Sequence, residues 1–157
     1  NREYNSPDAA PGNDTIRIKK ATMSPQFLDN TNTIDVRTPL NIAFEFWYTP
    51  TVKMELGVSI ALYTIMGECV FDVDSLSHEF ENGIVKGQCT IPGNFLNNGS
   101  YYITLEFVKN ASDVVFEFEE CLSFDVEDYR ENTAWYGEWP GVVRPKFKVD
   151  IQQGQLI

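Results

Sequence analysis

Apolar and polar residues alternate along much of this chain with a period of two. The clearest run covers residues 38–48, where Leu40, Ile42, Phe44 and Phe46 alternate with Asn41, Ala43, Glu45 and Trp47. Successive side chains of a strand point to opposite faces. The run therefore predicts a central strand with one apolar face against a second layer and one mixed face that carries a tryptophan. The same period predicts strands over residues 15–23, with Ile16 and Ile18, and over 55–65, with Leu56, Val58, Ile60 and Leu62. It predicts others over 69–73, 84–91 and 100–109, the last with Tyr101, Ile103, Leu105 and Phe107 on one face. Residues 34–37 read as a short strand, and 114–118 and 121–127 as two more.

Turn chemistry separates these runs. Residues 24–33 read as a polar loop around Pro25 with Phe27 as a plug; Met66-Gly67-Glu68 makes a tight connection, and Asn82-Gly83 is a turn pair. Residues 92–99 form a long turn with Phe95 and Leu96 tucked back. Helical periodicity is nowhere sustained. Short strands at roughly 8–12-residue spacing predict an all-β fold, an antiparallel sandwich. Residues 1–14, rich in Asn, Pro, Asp and Gly with almost nothing to bury, read as a linker or frayed end. Residues 15–128 are the sandwich. From 129 to 157 the pattern changes: Trp135, Tyr136 and Trp139 are interleaved with glycine and proline, and Val142-Val143 and 147–151 offer one more short strand. Each buried aromatic hides about 150–250 Å², so this tail is expected to dock on the sandwich or on a second copy of it.

Length and charge narrow the function classes. A chain of 157 residues, 43 % hydrophobic and 13 % aromatic, is one globular domain. A net charge of −11 argues against a nucleic-acid binder and against docking on an anionic membrane. No apolar run approaches the roughly 20 residues that span a bilayer. Cys69, Cys89 and Cys121 are an odd set without paired spacing, which favours a reducing cytosol. His78 stands alone in a polar loop and no CxxC occurs, so neither a zinc site nor any cofactor is expected. The sequons at Asn13, Asn98 and Asn110 are chance matches in an Asn-rich chain. The chain begins at Asn1 with no signal-peptide pattern, as expected of a piece of something larger.

Three segments carry a family resemblance: Cys89-Thr-Ile-Pro-Gly-Asn-Phe-Leu-Asn-Asn-Gly-Ser-Tyr101, Phe118-Glu-Glu-Cys-Leu-Ser-Phe-Asp-Val-Glu-Asp128 and Trp135-Tyr-Gly-Glu-Trp-Pro-Gly-Val-Val-Arg-Pro145. Together with the strand order from about residue 15 to 147, they resemble the C-terminal carbohydrate-binding domain of the ATP-binding subunit of bacterial polysaccharide ABC exporters, the Wzt-type O-antigen transporters. The resemblance implies an immunoglobulin-like or jelly-roll sandwich that dimerises, the last strand crossing to the partner. It implies recognition of the exported glycan at the cytoplasmic face of the inner membrane, beside the transporter's membrane subunit. No Walker motif is present, as expected if the ATPase portion lies upstream. Binding positions vary with the glycan, so the motifs carry none over.

Candidate positions come instead from alternation. If the strands at 38–48, 55–65 and 100–109 share a sheet, their non-core faces present Asn41, Glu45 and Trp47, then Ser59 and Tyr63, then Tyr102, Thr104 and Glu106. Small residues at Gly57 and Ala61 would floor a shallow trough walled by rings. Sugars suit it, because their C–H faces pack on aromatic planes while hydroxyls bond to amides, hydroxyls and carboxylates. The plain alternative is an ordinary solvated sheet face, or one covered by the tail. Glu45 and Glu106 can also be read as a glycosidase pair about 5–9 Å apart, yet nothing marks an acid held in an apolar pocket. Asp72, Asp74, Glu79 and Glu81 lack an EF-hand spacing and read as a solvated loop. Trp135, Tyr136, Trp139, Val142 and Val143 are expected at a dimer interface.

Overall fold

The computed structural model describes residues 1–28, 30–131, 135 and 137–155. Its strands are β1 (Arg2–Glu3), β2 (Ile16–Pro25), β3 (Leu40–Tyr48), β4 (Leu56–Thr64), β5 (Cys69–Asp74), β6 (Gly83–Ile91), β7 (Gly99–Lys109) and β8 (Asp113–Val126). One sheet has the order β1-β2-β3-β6 and the other β5-β4-β7-β8, with every neighbouring pair antiparallel. The chain thus changes sheet after β3, after β5 and after β6.

The alternation read in the sequence sets the inner faces. Leu40, Ile42, Phe44, Phe46 and Tyr48 on β3 are all buried, as are Tyr101, Ile103, Leu105 and Phe107 on β7. The two sets meet across the sandwich, the Phe46 and Phe107 rings edge to face with centroids 4.9 Å apart. Each such side chain stabilises the fold by about 1.5–3 kcal/mol on burial, so these strands supply much of the core. Gly87 on β6 pairs with Phe44, whose ring occupies the space a side chain would need: a Cβ there would stand 2.2 Å from Cζ of Phe44.

Several local expectations are revised. Residues 114–118 and 121–127 are not two strands but parts of β8, joined through a bulge. Ile103 pairs with Leu122 and Leu105 with Phe118, so a step of two on β7 matches a step of four on β8. Glu120 takes up the slack with a left-handed φ of 49° and donates its N–H to Thr104 Oγ1 at 3.3 Å. Residues 34–37 form no ladder; Asp35 makes a single parallel bridge to Glu127. Phe27 is 44 % exposed and plugs nothing, whereas Leu96 is buried as expected. Residues 147–151 form no strand; in the tail Val143 makes an isolated bridge to Leu96.

Residues 1–14 bury more than their composition suggests. Arg2 and Glu3 pair with Ala21 and Lys20, and Ala10 is buried. Asn13 accepts the N–H groups of Thr15 and Ile16 and donates Nδ2 to the Val115 carbonyl at 2.8 Å. Hydrogen bonds hold this segment where β2 meets β8, so it left no hydrophobic period to read.

Candidate functional site

The sheet assignment divides the expected trough. β3 lies in one sheet and β4 and β7 in the other, so Asn41, Glu45 and Trp47 face outward on one side while Ser59, Tyr63, Tyr102, Thr104 and Glu106 face outward on the opposite side. The condition of a shared sheet is not met, because the chain crosses over between β3 and β4. Glu45 and Glu106 are separated by both sheets, whose planes alone stack about 10 Å apart. They flank no common bond.

The outer face of the second sheet is the chemically organised one. Tyr63 and Tyr102 are register partners and stack, with ring centroids 5.2 Å apart and planes 16° from parallel. Beside them Ala61 pairs with Asp72 on one side and Thr104 on the other; the next row is Asp74, Ser59, Glu106 and Glu117. Ser59 and Thr104 are buried hydroxyls, and Ser59 Oγ donates to Asp72 Oδ1. Farther along, Ser75 folds against β4: its Oγ accepts the Val58 N–H at 2.9 Å, and Ser77 packs over Gly57. The result is a hollow of about 330 Å³ lined by Ser59, Asp72, Asp74, Ser75, Glu106 and Ser112, among others. A second hollow of about 420 Å³ opens on the far side of Tyr102, lined by Arg2, Met66, Glu120 and Ser123 among others.

Like charge shapes this face. The Glu117 carboxyl is pushed up by partial burial, by the charges of Glu119 and Glu106 and by the hydrogen bond its protonated form donates to Glu119. Burial likewise raises the Tyr63 phenol, helped by Cys69 and Asp72. Asp72 and Asp74 belong to this face and not to a solvated loop, and Glu117 was missed altogether. The signal was present in the alternation of Asp72 with Asp74 and of Glu117 with Glu119. Among the described residues no cluster of His, Cys, Asp or Glu has metal-holding geometry.

The outer face of the first sheet is a lattice of paired polar side chains. Glu45 stands between Lys20 and Lys86 in register and meets the Lys86 ammonium at 3.4 Å. Asn41 Oδ1 accepts from Thr90 Oγ1 at 3.2 Å. Trp47 is half-buried between Arg17 and Ile84.

The tail docks within its own chain. Trp139 lies under two guanidinium groups, those of Arg130 and Arg144, each 4.6 Å from its ring centroid. Both arginines hold Asp128, at 2.8 Å from Arg130 and 2.6 Å from Arg144. These bonds outweigh burial and keep the Asp128 carboxyl below the usual range. Arg37 stacks 3.4 Å over Tyr129 while forking onto the buried Asp35, whose carboxyl is lowered chiefly by that hydrogen bond. Trp139 therefore has an intramolecular role that accounts for its burial. Trp135, 47 % exposed, meets Trp139 edge to face, and Val142 and Val143 lie along the 93–101 turn. Tyr136 lies outside the described residues.

No family model matches the chain, and no curated protein does. Among solved structures, the crystal structure of the C-terminal domain of wzt matches with a TM-score of 0.65 at 11 % identity, over 96 % of this chain and 93 % of that one. A structure of the ApaA protein from Bordetella pertussis covers 77 % of this chain and 100 % of its own at 11 % identity, with a TM-score of 0.35 that carries no argument. The sandwich fold is thus similar to that of the wzt domain, as the sequence resemblance implies.

Proposed function

We propose that the chain is a non-catalytic carbohydrate-binding domain of a polysaccharide ABC exporter, and that it reads an O-antigen-type glycan on the outer face of the second sheet. The observation that carries this reading is the stacked Tyr63–Tyr102 pair, whose Tyr102 lines the 420 Å³ hollow and which shares its sheet face with the polar 330 Å³ one. A sugar ring can lay its C–H face on a phenol ring, and a neighbouring sugar of the same glycan can reach the row of Ser59 and Glu106, about 13 Å along the strands. The fold likeness to the wzt domain and the three sequence segments support the transport setting. In that setting the domain works in the cytoplasm at the inner membrane, and an ATPase portion of a longer chain links it to the membrane subunit. Among the described residues no helix is long and apolar enough to cross a membrane.

A homodimer completes the reading, since two weak sites on one assembly gain avidity through effective concentration. Phe147, Val149 and Ile151 support it: they alternate along the chain and are 84 %, 88 % and 93 % exposed. The same observation favours a second reading, a dimerisation domain that binds no glycan. Titration of the protein with the exported polysaccharide of its host separates the two. Binding that Tyr102→Ala abolishes supports the first, and no binding at millimolar sugar supports the second.

A further inference from the structure

We infer that the glycan taken by the Tyr63–Tyr102 face carries no anionic substituent on the sugars that enter the acidic hollow farther along that face, and that these sugars are recognised by donating hydrogen bonds to it. This rests on the glycan-binding reading above and narrows it to a substrate class, neutral and amino sugars as against uronic acids and phosphorylated sugars. The described residues that line the 330 Å³ hollow include Asp72, Asp74 and Glu106, together with serine hydroxyls, but no lysine or arginine. Glu117 adjoins Glu106 in register on the same face. Ionised carboxylates accept hydrogen bonds and donate none. A ligand in the hollow must therefore bring O–H or N–H groups, which sugar hydroxyls, N-acyl groups and ammonium groups supply. Arg2 is the cation among the described lining residues of the two hollows; it lies beyond Tyr102, with its Nε donating to the Cys121 carbonyl at 3.2 Å.

The opposite face shows that the acidity is local and not merely the chain's net charge. There Arg17, Lys20 and Lys86 neighbour Trp47 and Glu45 in register. Arg17, Lys20 and Lys86 thus lie on the side away from the tyrosine pair, whereas Arg2 shares a hollow with Tyr102. An anionic group about 6 Å from a carboxylate in water is disfavoured roughly threefold per pair. Several carboxylates together give a discrimination of about tenfold or more after salt screening.

The test is an NMR titration of the folded protein at about 0.15 M salt with three probes of similar length: manno-oligosaccharides, chitosan oligomers and oligogalacturonates. The expected result is a Tyr63 and Tyr102 response to a neutral or amino probe, with the oligogalacturonate at least about tenfold weaker. In Asp74→Asn combined with Glu106→Gln, that gap narrows. Tyr102→Ala, checked for folding by its core methyl shifts, serves as the control for the site. Oligogalacturonate binding as tightly as the others, in a manner that Tyr102→Ala removes, overturns the substrate class and leaves the site standing. Neutral or amino binding that Tyr102→Ala does not alter, or no binding from either probe, overturns the site reading itself.

Discussion

Asn97 holds Trp139 by its main chain. From a buried position in the long turn before β7, its Nδ2 donates to the Trp139 carbonyl at 2.7 Å and to the Gly141 carbonyl at 2.8 Å. The Tyr101 hydroxyl, also buried, donates to the Asn97 carbonyl at 2.7 Å. One amide thus ties the tail to the core through β7. Asn97→Ala is expected to destabilise the protein by about 1–3 kcal/mol, because part-buried carbonyls lose their donor. Trp139 fluorescence should shift red along with a lower unfolding midpoint. An unchanged spectrum in the variant would show that the tail is held by its arginines alone.

The division of the outer faces gives the sharpest functional prediction. Tyr102→Ala is expected to remove measurable glycan binding, whereas Trp47→Ala is expected to leave it within about twofold. Both are half-buried aromatics, so their stability costs are comparable and do not explain a difference. Calorimetric titration of the two variants decides. Loss with Trp47→Ala alone would move the site to the first sheet.

Acid should loosen the tail before it unfolds the core. Asp35 and Asp128 both have folded-state values below their ordinary one, Asp35 through its Arg37 hydrogen bond and Asp128 through Arg144 and Arg130 against the effect of burial. With a lowered folded pKa, the contribution is complete above the unfolded value of about 3.9 and is lost as pH falls through the folded one. Trp139 emission followed from pH 5 to pH 2 should therefore change in the lower part of that range. Asp35→Asn, at neutral pH, is expected to cost roughly 1–3 kcal/mol because Arg37 loses its charged partner. An acid profile identical in Asp128→Asn would refute the assignment to that carboxylate.

The β7–β8 turn offers a stabilising change. Asn110 and Ala111 both have left-handed φ, 49° and 66°, and the Ser112 N–H donates to the Lys109 carbonyl at 3.2 Å. Alanine is strained there by about 1–2 kcal/mol, while glycine adds roughly 0.4–1 kcal/mol of unfolded-chain entropy. Ala111→Gly should raise stability by about 0.5 kcal/mol, measured as a higher urea midpoint at constant slope. A lower midpoint would mean that the left-handed geometry is not what limits the turn.

Ending the chain at Pro145 should leave the unfolding midpoint nearly unchanged, since Phe147, Val149 and Ile151 bury little. Sedimentation velocity should then show less dimer than in the longer chain. Equal sedimentation of the two would remove the tail from the association.

How far the sequence could be read follows from what each signal encodes. Alternation says which side chains share a face of one strand, and on β3 and β7 that assignment holds for every inner residue from Leu40 to Tyr48 and from Tyr101 to Phe107. It does not say which sheet a strand joins, and so Trp47 and Tyr102 could be listed together while facing opposite ways. Crossovers are decided by the loops, here residues 49–55, which carry no period. Arg37 and Tyr129 are in contact at 3.4 Å yet far apart in the chain, and no local pattern announces such a pair. The acids of the second sheet were visible as alternating positions, but their meaning depended on the neighbours that the fold brings beside them.

The bulge in β8 also fixes how this chain can change in length. Two surplus residues sit opposite one step of β7, an even number, so the residues on either side of the bulge keep their inward or outward sense. Removing two residues at Glu119-Glu120 would preserve Leu122, Phe124 and Val126 as inward positions, whereas removing one would turn all three toward solvent. At this point of the fold, insertions and deletions are admissible in pairs.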